Sequence, residues 1–171
     1  FTDPDVQEGQ DLFLRSVTQE GGGKCQSCHR NAGANSIARA TPDDQEPQNL
    51  NLDVGISHVP HPALPLGEPM PFDDGFGIEQ VSRRCQNLFN VQSPHEAAAT
   101  PPFFHNNVFT TLEESIAHYT SIEFNRLSQM GRELPEPIRL TDQEVNQIGA
   151  LLRVLNALQN IDDVLACDAA D

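Results

Sequence analysis

Apolar residues recur at helical spacing in three parts of the chain, and this pattern predicts three helices. The first spans about residues 5–19, the second about 111–124, and the third begins after Thr141. The third has the clearest apolar stripe, made of Val145, Ile148, Leu151, Leu152, Leu155 and Leu158. A stripe of this kind is typical of a helix face that packs into a hydrophobic core.

The helix limits carry their own sequence signals. Thr111 with Glu114, and Thr141 with Glu144, each have the spacing of a capping box. Three glycines at 21–23 are expected to end the first helix.

Residues 31–107 show little periodicity and hold ten of the thirteen prolines. A loop of that length is unusual in a compact domain unless it packs around something. The run CQSCH at 25–29 indicates that the loop packs around a haem. Cys25 and Cys28 are spaced to bind the two vinyl groups of one haem, and His29 is placed to ligate its iron.

The element order predicts an all-α, c-type cytochrome fold in which the Pro-rich loop wraps one covalent haem. We interpret residues 1–171 as a single domain of this kind, with electron-transfer or peroxide chemistry. Two other uses of a Cys-x-x-Cys pair fit less well. A zinc site lacks a second nearby pair, since the next candidates are Cys85 and the histidines His58 and His61. A thioredoxin-like site would follow a buried strand, whereas glycines come first here.

The formal net charge of −15, from 25 acidic and 10 basic residues, excludes a nucleic-acid-binding role on electrostatic grounds. It also argues against binding to an anionic membrane surface. The negative charge suits a protein whose redox partner is basic, or a protein from a saline setting. An ordinary well-solvated surface accounts for the charge equally well. No apolar run is long enough to span a bilayer, so membrane insertion is not expected.

The chain starts at Phe1, from which we expect a processed or fragmentary N-terminus. Haem attachment of this type predicts a periplasmic or otherwise extracytoplasmic location. There, Cys85 and Cys167 could form a disulfide worth roughly 4–5 kcal/mol, or they could be two unrelated thiols.

Four segments resemble one family. TPPFFHNN at 100–107, with VFTTLEESI at 108–116, resembles the second haem domain of the bacterial di-haem cytochrome c peroxidase and MauG superfamily. LTDQE at 140–144 and QEGQDLF at 7–13 are similar to the same domain. The resemblance covers nearly the whole chain but only one of the family's two haem domains. It therefore implies a partner that carries a second haem, on another domain or chain.

Two positions depart from the family pattern. Asn107 stands where relatives have glycine, and asparagine tolerates a left-handed turn well enough for the bend to survive. The family's S-L-R-N arginine is missing at 93–96, together with the propionate or inter-haem contact that it would make.

The resemblance places the sixth iron ligand at Tyr119, because relatives use a methionine or, in MauG, a tyrosine there. Competing ligands are an open or water-bound site and five side chains, namely Met70, Met130, His58, His61 and His95. His118 points about 100° away from Tyr119 on a helix and could replace it only after a register shift. His105 is expected to fix its turn by hydrogen bonding.

The resemblance also implies a calcium ion, bound through backbone carbonyls near Thr100 and Pro102. Three function classes remain open from the sequence. The first is an electron-transfer domain of a di-haem peroxidase or MauG-like system. The second is a mono-haem peroxidase or oxidase with an open distal site, and the third is a non-catalytic haem sensor or structural subunit.

Overall fold

Four α-helices form the framework of the chain, whose computed structural model describes residues 1–16, 18–29, 38–39, 48–49, 51–64, 87–94 and 96–168. The helices are α1 (Pro4–Leu14), α2 (Leu112–Ala117), α3 (Gln129–Glu133) and α4 (Asp142–Asp168). Two antiparallel pairs of two-residue strands accompany them. β1 (Ala38–Arg39) pairs with β2 (Gln48–Asn49), and β3 (Asn51–Leu52) pairs with β4 (Phe89–Asn90). No helix among these residues is long and apolar enough to cross a membrane.

Helix α1 is shorter than its apolar pattern predicts. Asp3 caps its start by accepting hydrogen bonds from two backbone N–H groups, but Arg15 is already extended. The chain then turns back, and the Gly23 N–H donates to the Leu12 carbonyl at 3.1 Å. Carbonyls in the last turn of a helix lack partners within the helix, and this bond gives the Leu12 carbonyl a partner. The returning chain thus stabilises a helix that ends at Leu14.

Helix α1 crosses α4 at very close range. A Cβ atom at Gly9 would lie 2.0 Å from the Gln147 carbonyl oxygen. Only glycine, whose side chain is a single hydrogen atom, therefore fits at this position. The buried core around this crossing joins α1, α2 and α4, and consists of Val6, Leu12, Phe13, Leu112, Ile116, Val145, Ile148, Leu151 and Leu152. Cys25 packs against this core, which anchors the CQSCH motif to the helices.

The predicted helix at 111–124 is divided into shorter pieces. Helix α2 is followed by a 3-10 turn at His118–Thr120 and a π turn at Glu123–Leu127. Thr120 Oγ1 donates to the Ala117 carbonyl at 2.8 Å, and Ser121 Oγ accepts from the Phe124 N–H at 3.1 Å. The two hydroxyl groups bond to backbone groups that would otherwise pair within a continuous helix. This competition explains why the predicted helix is interrupted after α2.

Both predicted capping boxes are present. At α2, Thr111 accepts from the Glu114 N–H while Glu114 accepts from the Thr111 N–H. At α4, Thr141 and Glu144 make the same reciprocal pair, with bonds of 2.7–3.3 Å. The four apolar residues from Val145 to Leu152 in the predicted stripe are buried.

Candidate haem site

The CQSCH motif forms one tight turn. Lys24 enters it with a left-handed φ of 54°, and a 3-10 turn follows at Cys25–Ser27. The Cys25 carbonyl accepts hydrogen bonds from the N–H groups of Cys28 at 3.1 Å and His29 at 2.8 Å. This closed turn holds both thiols and the imidazole in one short segment, as attachment to a single cofactor requires.

Burial keeps these three side chains uncharged. It raises the pKa of the Cys25 thiol to about 12 and also raises the pKa of Cys28. Burial lowers the pKa of His29, and a hydrogen bond with the Gln92 backbone partly offsets that effect. His29 is therefore a neutral imidazole near neutral pH, the form that binds a metal.

The chemistry of these donors suits a single cofactor. Two neutral thiols and a neutral imidazole, held together by one closed turn, form a donor set that fits a haem bound through Cys25, Cys28 and His29.

Lys24, directly before the motif, is only 1% exposed. Its Nζ donates to the Glu136 carbonyl oxygen at 3.3 Å. This bond connects the motif to the segment that follows α3. The sequence offered no signal for it, because the two residues lie more than a hundred positions apart.

Tyr119 lies in the 3-10 turn after α2, within an aromatic group. Its ring centroid is 5.0 Å from that of Phe124 and 6.3 Å from that of Phe104. Burial raises the pKa of its hydroxyl well above the usual range, and the thiols of Cys28 and Cys25 add to the increase.

The His118 side chain bonds to a different segment of the chain. The side chain is 4% exposed, and its Nε2 donates to the Val54 carbonyl at 2.7 Å. Burial lowers its pKa, which the Val54 carbonyl and Glu123 partly offset. His118 therefore ties the 3-10 turn to the loop segment beside β3.

The other histidine and methionine candidates differ in accessibility. His61 uses Nε2 toward the Asn106 carbonyl at 3.0 Å and Nδ1 toward the Ala63 N–H at 3.1 Å. His58 is exposed, and Met130 is half-buried in α3. Met70, His95, Cys85 and the Cys167 side chain lie outside the described residues, so the suggested disulfide does too.

The turn at 100–107 has the bend that the family pattern predicts. Asn107 has a φ of 59°, which confirms that asparagine supports the left-handed conformation there. Its N–H donates to the Phe104 carbonyl at 3.1 Å, and the Phe103 N–H donates to the Phe109 carbonyl at 2.8 Å. The His105 ring stacks on Phe89 with centroids 3.5 Å apart.

The predicted calcium residues lie at the surface. Thr100 and Pro102 are exposed, and Thr100 Oγ1 donates to the carbonyls of Glu96 and Ala97, both at 3.4 Å. No group of three or more His, Cys, Asp or Glu residues suited to a metal occurs within the described ranges. Calcium binding by the Thr100 and Pro102 carbonyls stays a prediction.

Comparisons with known proteins bear on the fold. No protein-family model matches the sequence, and a search of curated proteins found no match. Among solved structures, a MauG-like protein associated with microbial copper homeostasis matches with a TM-score of 0.65 and 23% identity over 91% of this chain. The match covers 47% of that protein, so this chain spans about half its length.

That structural similarity confirms the all-α, c-type cytochrome fold predicted from the sequence. The paired two-residue strands add to this helical framework without changing it. Most of the Pro-rich loop lies outside the described residues. Sequence reasoning missed Lys24, Asp53 and Asn125, whose buried or half-buried hydrogen bonds join distant segments.

Proposed function

We propose that this chain is a c-type cytochrome domain that carries one covalent haem and transfers electrons within a di-haem peroxidase or MauG-like system. The observation that carries the proposal is the closed CQSCH turn, which holds the Cys25 and Cys28 thiols and the His29 imidazole in one short segment. Thioether attachment and a proximal imidazole would then come from one half-buried turn, and the family resemblance adds Tyr119 as an oxygen donor. The match to a MauG-like fold supports the same conclusion.

Each residue has a distinct task in this proposal. The thiols of Cys25 and Cys28 would each add across one vinyl group, with sulfur bonding one carbon and hydrogen the other. His29 would donate its Nε2 lone pair to the iron as a neutral base. The bound haem would supply one-electron exchange. Tyr119 would lose its hydroxyl proton and bind as an anion, overcoming the burial that keeps the free phenol protonated.

The oxygen ligand would set the direction of the redox chemistry. A phenolate is a hard anion and favours ferric over ferrous iron, whereas a thioether favours ferrous iron. Axial ligands can move a haem potential over about 0.8 V. A tyrosinate at this position therefore predicts a low potential, suited to holding an oxidising equivalent.

Covalent attachment is tested by mass. Expression with periplasmic haem-attachment machinery should give an intact chain heavier by one haem, retained by tryptic peptide 25–30. The Cys25→Ala, Cys28→Ala double variant is the control and should lack the added mass. A wild-type peptide at the mass of free thiols would contradict the proposal.

Tyr119→Phe tests the distal ligand. The ferric wild-type protein should be six-coordinate and low-spin without a thioether charge-transfer band. The variant should become largely high-spin and show a higher reduction potential, because the anionic donor is lost. Optical and electron paramagnetic resonance spectra measure both changes.

Met130→Leu is the matched control and should leave these spectra unchanged. A change in Met130→Leu alone would identify a thioether ligand instead. A high-spin wild-type protein that binds cyanide and turns over peroxide would favour the mono-haem peroxidase.

We also propose an extracytoplasmic location and a redox partner that is basic or carries the second haem. The net charge of −15 supports the first kind of partner. The family resemblance supports the second.

A further inference from the structure

Asn125 makes more side-chain hydrogen bonds than its place in a short π turn would suggest. Its Nδ2 donates to three carbonyl oxygens, those of Tyr119 at 3.2 Å, Ser121 at 3.2 Å and Ile138 at 3.1 Å. Its Oδ1 accepts from the Ile138 N–H at 2.9 Å. One half-buried amide thus contacts three segments of backbone.

Two of these carbonyls are close to where helical structure breaks. The 3-10 turn ends at Thr120, and Ser121 is extended. The Ser121 carbonyl accepts from the Asn125 backbone N–H at 3.0 Å as well as from its side chain. The side-chain bond to the Tyr119 carbonyl joins the backbone of Tyr119 to the same residue across this break.

The other side of Asn125 leads toward the CQSCH motif. Ile138 lies two residues after Glu136, whose carbonyl accepts the bond from buried Lys24 at 3.3 Å. Lys24 directly precedes Cys25. The segment 136–138 is therefore bonded at one point to the motif and at another, through Asn125, to Tyr119.

We propose that Asn125 is a positioning residue that sets the register of Tyr119 relative to the CQSCH turn, and so controls how much of the haem has a tyrosinate ligand. This inference rests on the proposed function. It adds a residue that bonds to the Tyr119 backbone and would act on the haem only through Tyr119.

The test uses Asn125→Asp in the haem-loaded protein. The ionised carboxylate still accepts from the Ile138 N–H but cannot donate, and it places a negative oxygen against three carbonyls. We expect the ratio of tyrosinate-bound to unbound ferric haem to fall about tenfold, or about 1.4 kcal/mol. Electron paramagnetic resonance measures that ratio, and the reduction potential should rise toward the Tyr119→Phe value.

Ser128→Ala is the matched control. Ser128 is fully buried in the same region, where its Oγ donates to the Phe124 carbonyl at 2.6 Å and accepts from the Gly131 N–H at 2.8 Å. Its hydrogen bonds in the described part of the chain go to Phe124, Gly131 and Glu123 and not to the Tyr119 backbone. The control should therefore lower the thermal midpoint while leaving the spin-state ratio unchanged. An equal loss of tyrosinate binding in Ser128→Ala and Asn125→Asp would overturn the positioning role, since general destabilisation would explain both.

Asn125→Ser keeps the test decisive if the aspartate variant fails to fold. The shorter hydroxyl cannot span the same carbonyls, so it should show the same loss of tyrosinate binding. An unchanged spin-state ratio in either folded variant would refute the inference. Failure of the proposed function looks different, because Tyr119→Phe would then leave the wild-type spectrum unaltered.

Discussion

At the scale of single residues, adjacent positions have opposite tasks. His118 and Tyr119 follow each other in a 3-10 turn, yet His118 bonds to the Val54 carbonyl while Tyr119 packs against Phe124. Successive side chains in a 3-10 turn diverge by about 120°, so the two residues can bond to different segments. Their rings still meet edge-on with centroids 5.8 Å apart, so the residue that secures the turn also packs against Tyr119.

His118→Phe tests this securing role. The phenyl ring keeps the aromatic packing but leaves the half-buried Val54 carbonyl without its donor. We expect the unfolding free energy to fall by about 1–3 kcal/mol, measured by denaturant titration. His58→Phe is the control, because His58 is exposed and surface changes usually stay within about 0.5 kcal/mol. Equal effects of the two variants would contradict the role of the hydrogen bond.

At the scale of elements, caps and breaks define the helices more than propensity does. The capping box of Thr111 and Glu114 begins α2, and side-chain bonds from Thr120 and Ser121 end the helical run soon afterwards. A six-residue helix has little stability alone, so its cap and its packing on α4 are what maintain it.

Glu114→Gln should change the acid sensitivity of α2. Backbone hydrogen bonds from Thr110 and Thr111 lower the pKa of Glu114, so its ionised form is favoured in the folded state. That stabilisation is complete above the ordinary pKa and is lost as the pH falls through the lowered one. Wild-type unfolding midpoints should therefore drop more steeply with acid than those of the variant.

The control for this comparison is Glu8→Gln. Glu8 is exposed on α1 and makes no side-chain hydrogen bond in the described structure. Its pH profile should match that of the wild type. If Glu114→Gln also matched the wild type, the cap would not be the source of the acid sensitivity.

At the scale of the whole molecule, charge and length set what the chain can do. A net charge of −15 on 171 residues creates a long-range negative field, and the chain spans about half of its MauG-like structural neighbour. The negative field would attract a basic partner, as the proposed redox role expects.

Electron exchange with a basic partner protein should slow as salt rises. Attraction between unlike charges speeds encounter at low ionic strength, and the Debye length is about 10 Å at 0.1 M salt. Stopped-flow mixing of the haem-loaded protein with a basic cytochrome measures the rate. An uncharged small-molecule reductant should show little salt dependence. A rate with the basic partner that does not vary with salt would contradict electrostatic steering.

The sequence by itself determined the local features of this protein. The Cys-x-x-Cys-His spacing, both capping boxes, the apolar stripe of α4 and the tolerance of Asn107 for a left-handed turn depend on residues close together in the chain. Short-range sterics and hydrogen bonding govern such features, so a linear pattern suffices to predict them.

Only the tertiary structure decided the contacts between distant segments. The early end of α1, the division of the 111–124 helix, and the bonds from Lys24 to Glu136 and from Asn125 to Ile138 have no periodic signature. They arise because folding brings particular backbone carbonyls next to particular donors, and buried carbonyls require partners. The role of Tyr119 as a haem ligand stays a prediction of the family resemblance.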